Sequence, residues 1–424
     1  MMAEAEAEVT VGFAGLDHLG IVTAVGLAEK GFRVIAWDPD PERVGRLAAG
    51  DPIVSEPGLD ELLFVNAVRT TFTTDLADLT NADMIYVAAD VPTDDNGNSN
   101  LGVVTDLISA VRDILSESAL LVVLCQVPPG FTRGLGLPES RLFYQVETLV
   151  IGRAVERTLS PERFIIGCAQ PSEPLPPALD VVLSSHGCPI LQMRYESAEL
   201  AKISINCFLV SQVSTTNMLA EICERIGANW SEIAPALQLD RRIGVHAYLR
   251  PGLGIAGGNL ERDLASVAEI SAREGIDAAL VDACRRNSAW RKDWLYRVLE
   301  GTVLRDLEDP VIAILGLAYK ENTGSIKNSP SIALLEQLEG RRTRIHDPVV
   351  PASVVPWAEH TQTALGACGG ADAVVIATPW PEYRDLTAKG LDAAMRGRVL
   401  VDPFAVLTDA CPLDHGFAWY RLGV

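Results

Sequence analysis

Six residues near the N-terminus, Gly15-Leu-Asp-His-Leu-Gly20, are of a type and spacing that could bind a phosphate group. They follow the apolar run Val9–Ala14 and precede the helical pattern of Ile21–Lys30. Glycines let the main chain approach an anion closely, and the amides at the start of a helix point at it. A second apolar run, Arg33–Trp37, ends at Asp38, whose carboxylate could accept hydrogen bonds from ribose hydroxyls. This arrangement is typical of dinucleotide binding and predicts NAD, because an acid would repel the 2′-phosphate of NADP.

Asp17 stands where the G-x-G-x-x-G fingerprint has its second glycine. That glycine lets the backbone approach the pyrophosphate, and a carboxylate there is unfavourable both sterically and electrostatically. The alternatives are a fold that binds NAD and a retained fold with weakened affinity. We expect NAD binding, and the candidate contacts in this region are Gly15, Asp17, His18, Leu19, Gly20, Asp38 and Arg43.

A second candidate group consists of Lys202 and Asn206, which lie four residues apart in a helical pattern. On a helix they would project from one face toward the same atom, and an ammonium and an amide together could stabilise an oxyanion. Taken alone, the pair could equally be a solvated surface pair, and Asp263 could be a helix cap. The eight cysteines are scattered, with no CxxC and no His/Cys cluster at metal-ligand spacing, so we predict reduced thiols and no metal site.

The elements that must hold these residues follow from the hydrophobic pattern. Apolar runs of strand length alternate with helical patterns from residue 9 to about residue 190. This alternation predicts a parallel sheet covered by helices, because parallel neighbours need a crossover connection. We therefore expect a doubly wound α/β domain of the Rossmann type over residues 1–196.

The pattern changes at Ser197–Gly227, where apolar residues recur every three or four positions and a glycine ends the run. This predicts a helix of roughly 45 Å. Helical sequence continues to about residue 300, and we expect a helical dimerisation domain over residues 197–300. Short apolar runs return at Val311–Leu317 and Ala373–Ala377 and predict a second Rossmann-like domain over residues 301–424. The expected fold class is thus α/β, with two doubly wound domains joined by a long central helix.

The overall charge limits the kinds of partner. With 35 basic and 56 acidic residues, the formal net charge is −21. Such a chain repels phosphate backbones and anionic lipids, so we expect no nucleic-acid partner and no membrane partner, and a phosphate-bearing substrate needs a local basic pocket. The acidic opening Met1–Glu8 lacks the basic start and apolar stretch of a signal peptide, which predicts a cytoplasmic protein.

Further motifs make the chain resemble a known family. The stretches Asp38-Pro-Asp-Pro-Glu-Arg-Val44 and Ser55-Glu-Pro-Gly-Leu-Asp-Glu-Leu-Leu63 are similar to the D-x-D and EPGLxELL patterns of the UDP-glucose/GDP-mannose 6-dehydrogenases. Other matches follow in the family's order. They are Val91-Pro-Thr93, Val127-Pro-Pro-Gly130, Glu147, Pro161–Gly167, Glu199–Asn206, Asn217, Asp240–Gly244, Gly254–Gly258 with Asp263, Leu315–Lys320, Ser329-Pro330 and Asp347-Pro348.

The resemblance implies NAD in the first domain, a nucleotide-sugar substrate at the seam between domains, and a homodimer built on the central domain. It implies that Lys202 stabilises an oxyanion, that Asp263 organises a catalytic water, and that Glu147 lies near the reacting carbon, with Asn206 beside Lys202. The implied further cofactor contacts are Thr93 and Lys327, and the implied substrate contacts are Arg242, Gly257, Tyr319 and Lys320.

Asn259 is the main departure from the family. Members remove four electrons from one carbon and use a cysteine, in the sequence GFGGSCFPKD, to trap the intermediate aldehyde as a thiol adduct. Here the aligned stretch is Gly254-Ile-Ala-Gly-Gly-Asn-Leu-Glu-Arg-Asp263, and the amide of Asn259 cannot form that adduct. Cys125 is expected to be a buried strand thiol rather than a replacement. Other departures are Gln126, Ile151, Lys327 and Phe404.

Three hypotheses follow from these departures. The chain could be an NAD-dependent oxidoreductase that oxidises a sugar C6 alcohol without a thioester, which we favour because Lys202, Asn206 and Asp263 are retained. It could be a redox-neutral epimerase or lyase that keeps NAD bound. It could also be a non-catalytic pseudoenzyme that binds a nucleotide sugar, which Asp17, Gln126 and Asn259 together would favour.

Overall fold

A computed structural model of the protein describes residues 9–94, 99–408 and 411–424, so the acidic opening Met1–Glu8 lies outside the described residues. The chain forms two compact units, Met1–Ile205 and Asn206–Val424. Each unit is built on one sheet, as expected for an α/β protein with two Rossmann-like domains.

The first unit contains a sheet of eight strands within the part of the chain that the structure describes. Their spatial order is β3-β2-β1-β4-β5-β6-β7-β8. The strands are β1 (Thr10–Ala14), β2 (Arg33–Trp37), β3 (Thr70–Thr73), β4 (Met84–Val87), β5 (Leu120–Val123), β6 (Leu142–Gln145), β7 (Phe164–Cys168) and β8 (Ile190–Arg194). The accompanying helices are α1 (His18–Glu29), α2 (Pro41–Ala48), α3 (Leu59–Val65), α4 (Gly102–Ile114), α5 (Ala154–Leu159) and α6 (Pro177–Ser184).

The predicted parallel sheet is confirmed for β1 to β6, whereas β7 runs antiparallel to β6 and β8 follows β7 in parallel. The chain between β6 and β7 contains only the six-residue helix α5. Because β7 is antiparallel to β6, the end of β6 and the start of β7 lie at the same edge of the sheet. The connection between them therefore needs no crossover.

The central strands are buried on both faces, which explains their continuous apolar sequences. Phe13 of β1 stacks on Tyr86 of β4 with ring centroids 5.2 Å apart, on the face covered by α1. The opposite face holds Ile85 and Val87 against α4. Because β1 pairs in parallel with both β2 and β4, the carboxyl ends of these three strands lie at one edge of the sheet. The candidate phosphate-binding turn lies at this edge, directly after β1.

The predicted long helix is present as α7 (Tyr195–Ile226), 32 residues, and Gly227 follows it with a φ of 75°. A left-handed residue directly after a helix is the usual place for glycine. The helix begins in the first unit and ends in the second. None of the described helices is long and apolar enough to cross a membrane.

The second unit starts with helices and ends with a parallel sheet, in the order β11-β10-β9-β12-β13-β14. Its helices are α8 (Trp230–Leu239), α9 (Asn259–Glu274), α10 (Ala279–Lys292), α11 (Trp294–Glu300), α12 (Val303–Asp306), α13 (Pro330–Gln337), α14 (Ala364–Cys368) and α15 (Ala388–Ala394). Its strands are β9 (Val311–Leu315), β10 (Arg342–His346), β11 (Glu359–His360), β12 (Ala373–Ile376), β13 (Val399–Val401) and β14 (Ala418–Tyr420).

A buried ion cluster fixes α10 against the C-terminal half of α7. Arg291 is fully buried, and its guanidinium lies 3.3 Å from Glu221 and 3.2 Å from Glu224. The indole of Trp294 also donates to Glu224 at 3.1 Å. Because a buried charge needs partners, these contacts make the packing of the helical segment specific.

Candidate active site

The turn after β1 has the shape that a phosphate-binding turn requires. Gly15 has a φ of 96°, a conformation that favours glycine. A Cβ on Gly20 would lie 2.0 Å from the carbonyl oxygen of Gly15 and 2.8 Å from that of Ala88, so no side chain fits there. The helix α1 begins at His18, three residues before the predicted start at Ile21. Both glycines of the sequence motif therefore allow the turn to close tightly onto the first turn of the helix.

Asp38 lies at the end of β2 and is almost completely buried. Its Oδ2 accepts hydrogen bonds from the amide of Leu16 at 2.8 Å and from Nη1 of Arg43 at 2.9 Å, and its Oδ1 accepts from the amide of Asp40 at 3.0 Å. The carboxylate thus connects the phosphate turn to α2. It stands at the sheet edge where Rossmann folds bind an adenine ribose, with Arg43 as a neighbouring cation.

Asp17 and Asp90 bring two carboxylates to the start of α1. Oδ2 of Asp17 accepts a hydrogen bond from the amide of Asp90 at 3.2 Å. Burial raises the pKa of Asp90, and the backbone amides of His18 and Leu19 act in the opposite direction. Both acids therefore lie near first-turn amides of the kind that bind a pyrophosphate in dinucleotide-binding folds.

The proximity of these two acids changes their titration. Burial and the nearby charge of Asp90 raise the pKa of Asp17 to about 6 from its ordinary value of 3.8. Burial, supported by the charge of Glu147, also raises the pKa of Asp90, although its side chain keeps contact with solvent. The candidate NAD site thus fits the ribose and the close turn, and places acids where the pyrophosphate would lie.

His18, the first residue of α1, is paired with Glu56. Nε2 of His18 lies 2.7 Å from Oε1 of Glu56, whose side chain is fully buried. Burial alone would lower the pKa of His18, but the hydrogen bond to Glu56 and the charges of Asp90 and Glu147 outweigh it, so the net pKa is raised. Glu56 also accepts from the amides of Gly152 at 2.6 Å and Ala154 at 3.1 Å. This network ties the start of α1 to the loop after β6.

That loop carries Glu147, which pairs with Lys202 of α7. The ammonium of Lys202 lies 3.0 Å from Oε2 of Glu147, and both side chains are largely buried. A buried acid of α7 itself, Glu199, accepts from the amides of Gly130 at 2.5 Å and Thr132 at 2.8 Å. The structure thus brings Lys202 and Glu147 together and holds the loop after β5, the segment of the Val127–Gly130 motif, against the same helix.

Thr93 lies on the segment that follows β4, where it forms an isolated antiparallel β-bridge with Ser99. The same segment carries Asp90, whose amide donates to Asp17 in the turn after β1.

In the second unit, Asn206 and Asp263 form a buried pair. The amide nitrogen of Asn206 donates to Oδ2 of Asp263, and Asp263 is almost completely buried. Nε of the buried Arg262 lies 3.6 Å from Oδ1 of the same carboxylate. Asn206 is one helical turn after Lys202 on α7, as the spacing predicts. Asp263 lies inside α9 rather than at its cap.

Asn259 is the first residue of α9 and is exposed. The segment before it is held by a second loop of the same unit. The amide of Gly257 donates to the carbonyl of Lys327 at 2.9 Å, and the side chain of Asn328 donates to the carbonyl of Gly257 at 2.8 Å. Gly257 has a φ of 80°, and a Cβ on it would lie 3.3 Å from the ring of Tyr319. Gly257, Tyr319 and Lys327 are therefore brought together directly before Asn259.

Two candidate substrate contacts differ in their surroundings. Lys320 places its ammonium 5.5 Å from the centroid of the Tyr319 ring, beside the Gly257 segment. The side chain of Arg242 is 89% exposed and pairs with Asp240 at 2.7 Å, on the surface after α8.

No cysteine near the candidate residues has the properties of an activated thiol, within the described part of the chain. Burial raises the pKa of Cys125 to about 12, and its Sγ is enclosed by the backbone of Val87 and Ala89. Burial and the charge of Asp263 raise the pKa of Cys207, which follows Asn206. A reactive thiol needs the opposite environment, in which the thiolate is stabilised. All eight cysteines are free, and no cluster of metal-ligating side chains occurs among the described residues.

Sequence reasoning missed Asp90, Glu56, Glu199 and Arg262. Asp90 had a usable signal, because it ends the apolar run of β4, and the carboxyl ends of neighbouring parallel strands share one edge. The buried roles of Glu56 and Glu199 depend on the backbone amides of distant loops, which no local pattern reveals.

Three family models match successive parts of the chain. Residues 9–178 match the NAD binding domain of the UDP-glucose/GDP-mannose dehydrogenase family, residues 196–289 its central domain, and residues 313–409 its UDP binding domain.

Individual relatives match nearly the whole chain. A UDP-glucose 6-dehydrogenase of Pseudomonas aeruginosa is 30% identical over 96% of this chain and 96% of its own length. The UDP-glucose 6-dehydrogenase TuaD of Bacillus subtilis is 28% identical over 92% of this chain and 87% of its own length. The solved structure of a UDP-glucose dehydrogenase from Pyrobaculum islandicum is similar with a TM-score of 0.87 and 27% identity, covering 100% of this chain and 99% of the other.

Proposed function

Because the chain belongs to the UDP-glucose/GDP-mannose dehydrogenase family, and so to the NAD-dependent nucleotide-sugar dehydrogenases, we propose that it oxidises the C6 alcohol of a UDP-sugar once and releases the aldehyde. The observation that carries this proposal is that the structure forms the Lys202–Glu147 and Asn206–Asp263 pairs. The sequence resemblance implies that Asn259 stands in the position of the family's thiol. The match of residues 313–409 to a UDP binding domain supports a UDP-sugar.

The chain's own residues have separate tasks in this reaction. When bound, NAD accepts the hydride that leaves the sugar carbon. Gly15, Gly20 and Asp38 are proposed to hold it, with Thr93, Arg43 and Lys327 as further contacts of the cofactor.

The alcohol must also lose a proton as its carbon is oxidised. Lys202, oriented by Glu147, is proposed to stabilise the alkoxide that develops, and Asn206 to donate a second hydrogen bond to it. The proton passes to a water held by Asp263, so that one hydride and one proton leave each alcohol. With no sulfur to add to the carbonyl, the aldehyde leaves as the product.

Recognition of the nucleotide is proposed to involve Gly257, Tyr319 and Lys320, with Arg242 as an additional cation. The contact between Gly257 and the Tyr319 ring supports a shared role for these two residues. The exposed position of Arg242 suits a group that meets its ligand at a surface.

We further propose a division into residues 1–196 for NAD, 197–300 for dimerisation and 301–424 for the nucleotide sugar, in a cytoplasmic homodimer. The family-model boundaries support the division. An apolar surface on α7 supports the dimer, because its members Phe208, Met218, Ile222 and Ile226 are exposed in the single chain.

The experiment that tests the function is a survey of nucleotide sugars. The purified chain is incubated with NAD and either UDP-glucose, a UDP-N-acetylhexosamine or GDP-mannose, and NADH absorbance is followed. The proposal expects NADH with at least one UDP-sugar and none with GDP-mannose. Tightly held NAD with altered sugar and no net NADH would favour an epimerase or lyase, and failure to bind NAD at any pH would favour a pseudoenzyme.

A further inference from the structure

Two of the protein's own carboxylates lie at the start of α1. Asp17 directly precedes the helix, and the amide of Asp90 donates to its Oδ2 at 3.2 Å. Oδ1 of Asp17 is buried and has no hydrogen-bond partner among the described residues. Asp17 is thus held by the backbone of Asp90 and leaves one unpaired carboxylate oxygen buried beside the start of the helix.

A pyrophosphate would meet this pair directly, because it binds to the same kind of first-turn amides. It carries negative charge, as do both acids when ionised, and the repulsion is screened least at Asp17, which is partly buried. Neutralising the pair removes this repulsion.

We infer that NAD binds to this chain together with a proton, which the Asp17–Asp90 carboxyl pair takes up, so that these two residues determine the cofactor affinity. The inference rests on the proposed function in one respect, namely that NAD occupies the turn at Gly15–Gly20.

The charged groups around the pair give the direction of the effect. The charge of Arg43 lowers the pKa of Asp17, whereas the charge of His18 lowers and that of Glu147 raises the pKa of Asp90. Both acids raise the pKa of the Cys125 thiol. Burial and Asp90 raise the pKa of Asp17 to about 6 in the free protein, and an added pyrophosphate would raise it further.

The linkage then has a defined pH window. Below about pH 6 the acid is protonated in both states, and the dissociation constant for NAD is flat. Above pH 6 the free protein must take up a proton to bind, so the constant rises by up to about tenfold per pH unit, until the bound form also ionises. His18, whose pKa is raised, contributes in the same direction because it loses positive charge as the pH rises.

The test is calorimetric titration of the full chain with NAD at several pH values between 5.5 and 8.5, in two buffers of different ionisation enthalpy. The difference between buffers counts the protons taken up per NAD. For the unmodified chain we expect uptake that approaches one proton near pH 7. For Asp17→Asn and Asp17→Gly we expect much smaller uptake and, at pH 8, affinity on the order of tenfold tighter. Asp113→Asn, an exposed site on α4, removes the same charge and should behave like the unmodified chain.

The outcomes separate this inference from the function on which it rests. NAD binding with the same affinity and no proton uptake in the unmodified chain and in Asp17→Asn would overturn the inference and leave the dehydrogenase proposal standing. Equal uptake in the unmodified chain and in both Asp17 variants would also overturn it. If neither the unmodified chain nor Asp17→Gly binds NAD at any pH, both the proposed function and this inference fail.

Discussion

At the residue scale, we expect the difference between an amide and a thiol at position 259 to decide how many electrons the sugar can lose. A thiolate adds to an aldehyde and makes the carbon ready for a second oxidation, whereas an amide nitrogen has its lone pair delocalised into the carbonyl and does not add. Two described thiols, Cys125 and the Cys207 that follows Asn206, have raised pKa values, whereas a reactive thiol needs a stabilised thiolate. The chemistry that we propose for the chain is therefore that of the first oxidation alone.

Restoring the thiol should restore the second oxidation. In Asn259→Cys, the product is expected to change from aldehyde to uronate, with the NADH released per sugar rising from about one to about two, because the adduct can form. Product mass and NADH absorbance measure both changes. Asn259→Ser is the matched control, since it is similarly small and polar but lacks sulfur, and it should leave the product an aldehyde. Identical products from the two variants would show that position 259 does not face the reacting carbon.

Removing the carboxylate of Asp17 should stabilise the fold at neutral pH. The folded protein holds the pKa of Asp17 at about 6, against an ordinary value of 3.8, so ionisation in the fold is disfavoured. For an acid with a raised pKa, stability falls as the pH rises from about 4 to about 6, and the loss is complete above that range. Asp17→Asn should therefore gain on the order of 2–3 kcal/mol in free energy of unfolding at pH 8, and little at pH 4.

Urea unfolding at the two pH values measures this difference. Asp113→Asn should show no comparable gain, because its side chain is exposed. A destabilised Asp17→Asn at pH 8 would mean that the charged carboxylate contributes more through its hydrogen bond to Asp90 than it loses by burial.

At the scale of elements, the phosphate turn depends on how closely α1 approaches the end of β1. Gly20 is the contact point, because a methyl group there would lie 2.0 Å from the carbonyl oxygen of Gly15. We expect Gly20→Ala to move α1 and to abolish measurable NAD binding. The free energy of unfolding should also fall by roughly 1–3 kcal/mol or more, because the added methyl group overpacks the site.

Calorimetry with NAD and thermal unfolding measure the two effects. The matched control is Gly45→Ala on α2, where an added Cβ meets no atom within 4 Å. At such an uncrowded helical position, replacing glycine by alanine is expected to leave the free energy of unfolding unchanged or to raise it by up to about 1 kcal/mol. If Gly20→Ala binds NAD as well as Gly45→Ala does, the close approach at Gly15 is not needed for the cofactor.

The elements show where sequence reasoning succeeds and where it stops. The strand, turn and helix around Gly15–Gly20 were predictable because their signals are local, as was α7 from its helical spacing. The reversal of β7 was not predictable, because its apolar sequence is compatible with either direction. Glu147 was chosen only through the family resemblance, and its pairing with Lys202 depends on residues 55 positions apart. Asp90 could have been chosen from its place after the apolar run of β4, but its contact with Asp17 joins residues 73 positions apart.

At the scale of the whole molecule, the net charge of −21 acts against every phosphate that the chain must bind. A nucleotide sugar and NAD both carry such groups, so cations near the candidate residues have to offset the long-range repulsion. Arg43, Lys320 and Lys327 are cations among the residues proposed to contact these ligands. Weak binding at low ionic strength, and tighter binding as salt screens the net charge, would be consistent with this balance.

The exposed apolar surface of α7 should join two copies of the chain. Phe208 and Ile226 are 72% and 70% exposed in the single chain, and such residues are usually covered. Sedimentation velocity is expected to show a species of twice the 45.6 kDa chain mass, and Ile222→Glu with Ile226→Glu should shift it to the single mass. Val103→Glu, at an exposed apolar position on α4, is the control that should leave the dimer intact. A monomeric unmodified chain at micromolar concentration would contradict the proposal.

The most direct test of the central claim is a rapid-quench experiment on the unmodified protein with NAD and its UDP-sugar, analysed by the intact mass of the protein and the mass of the product. The account predicts one NADH per sugar, an aldehyde or its hydrate as product, and a protein mass that does not change at any time point. A transient sugar adduct on the protein, followed by a second NADH and a uronate, would contradict it.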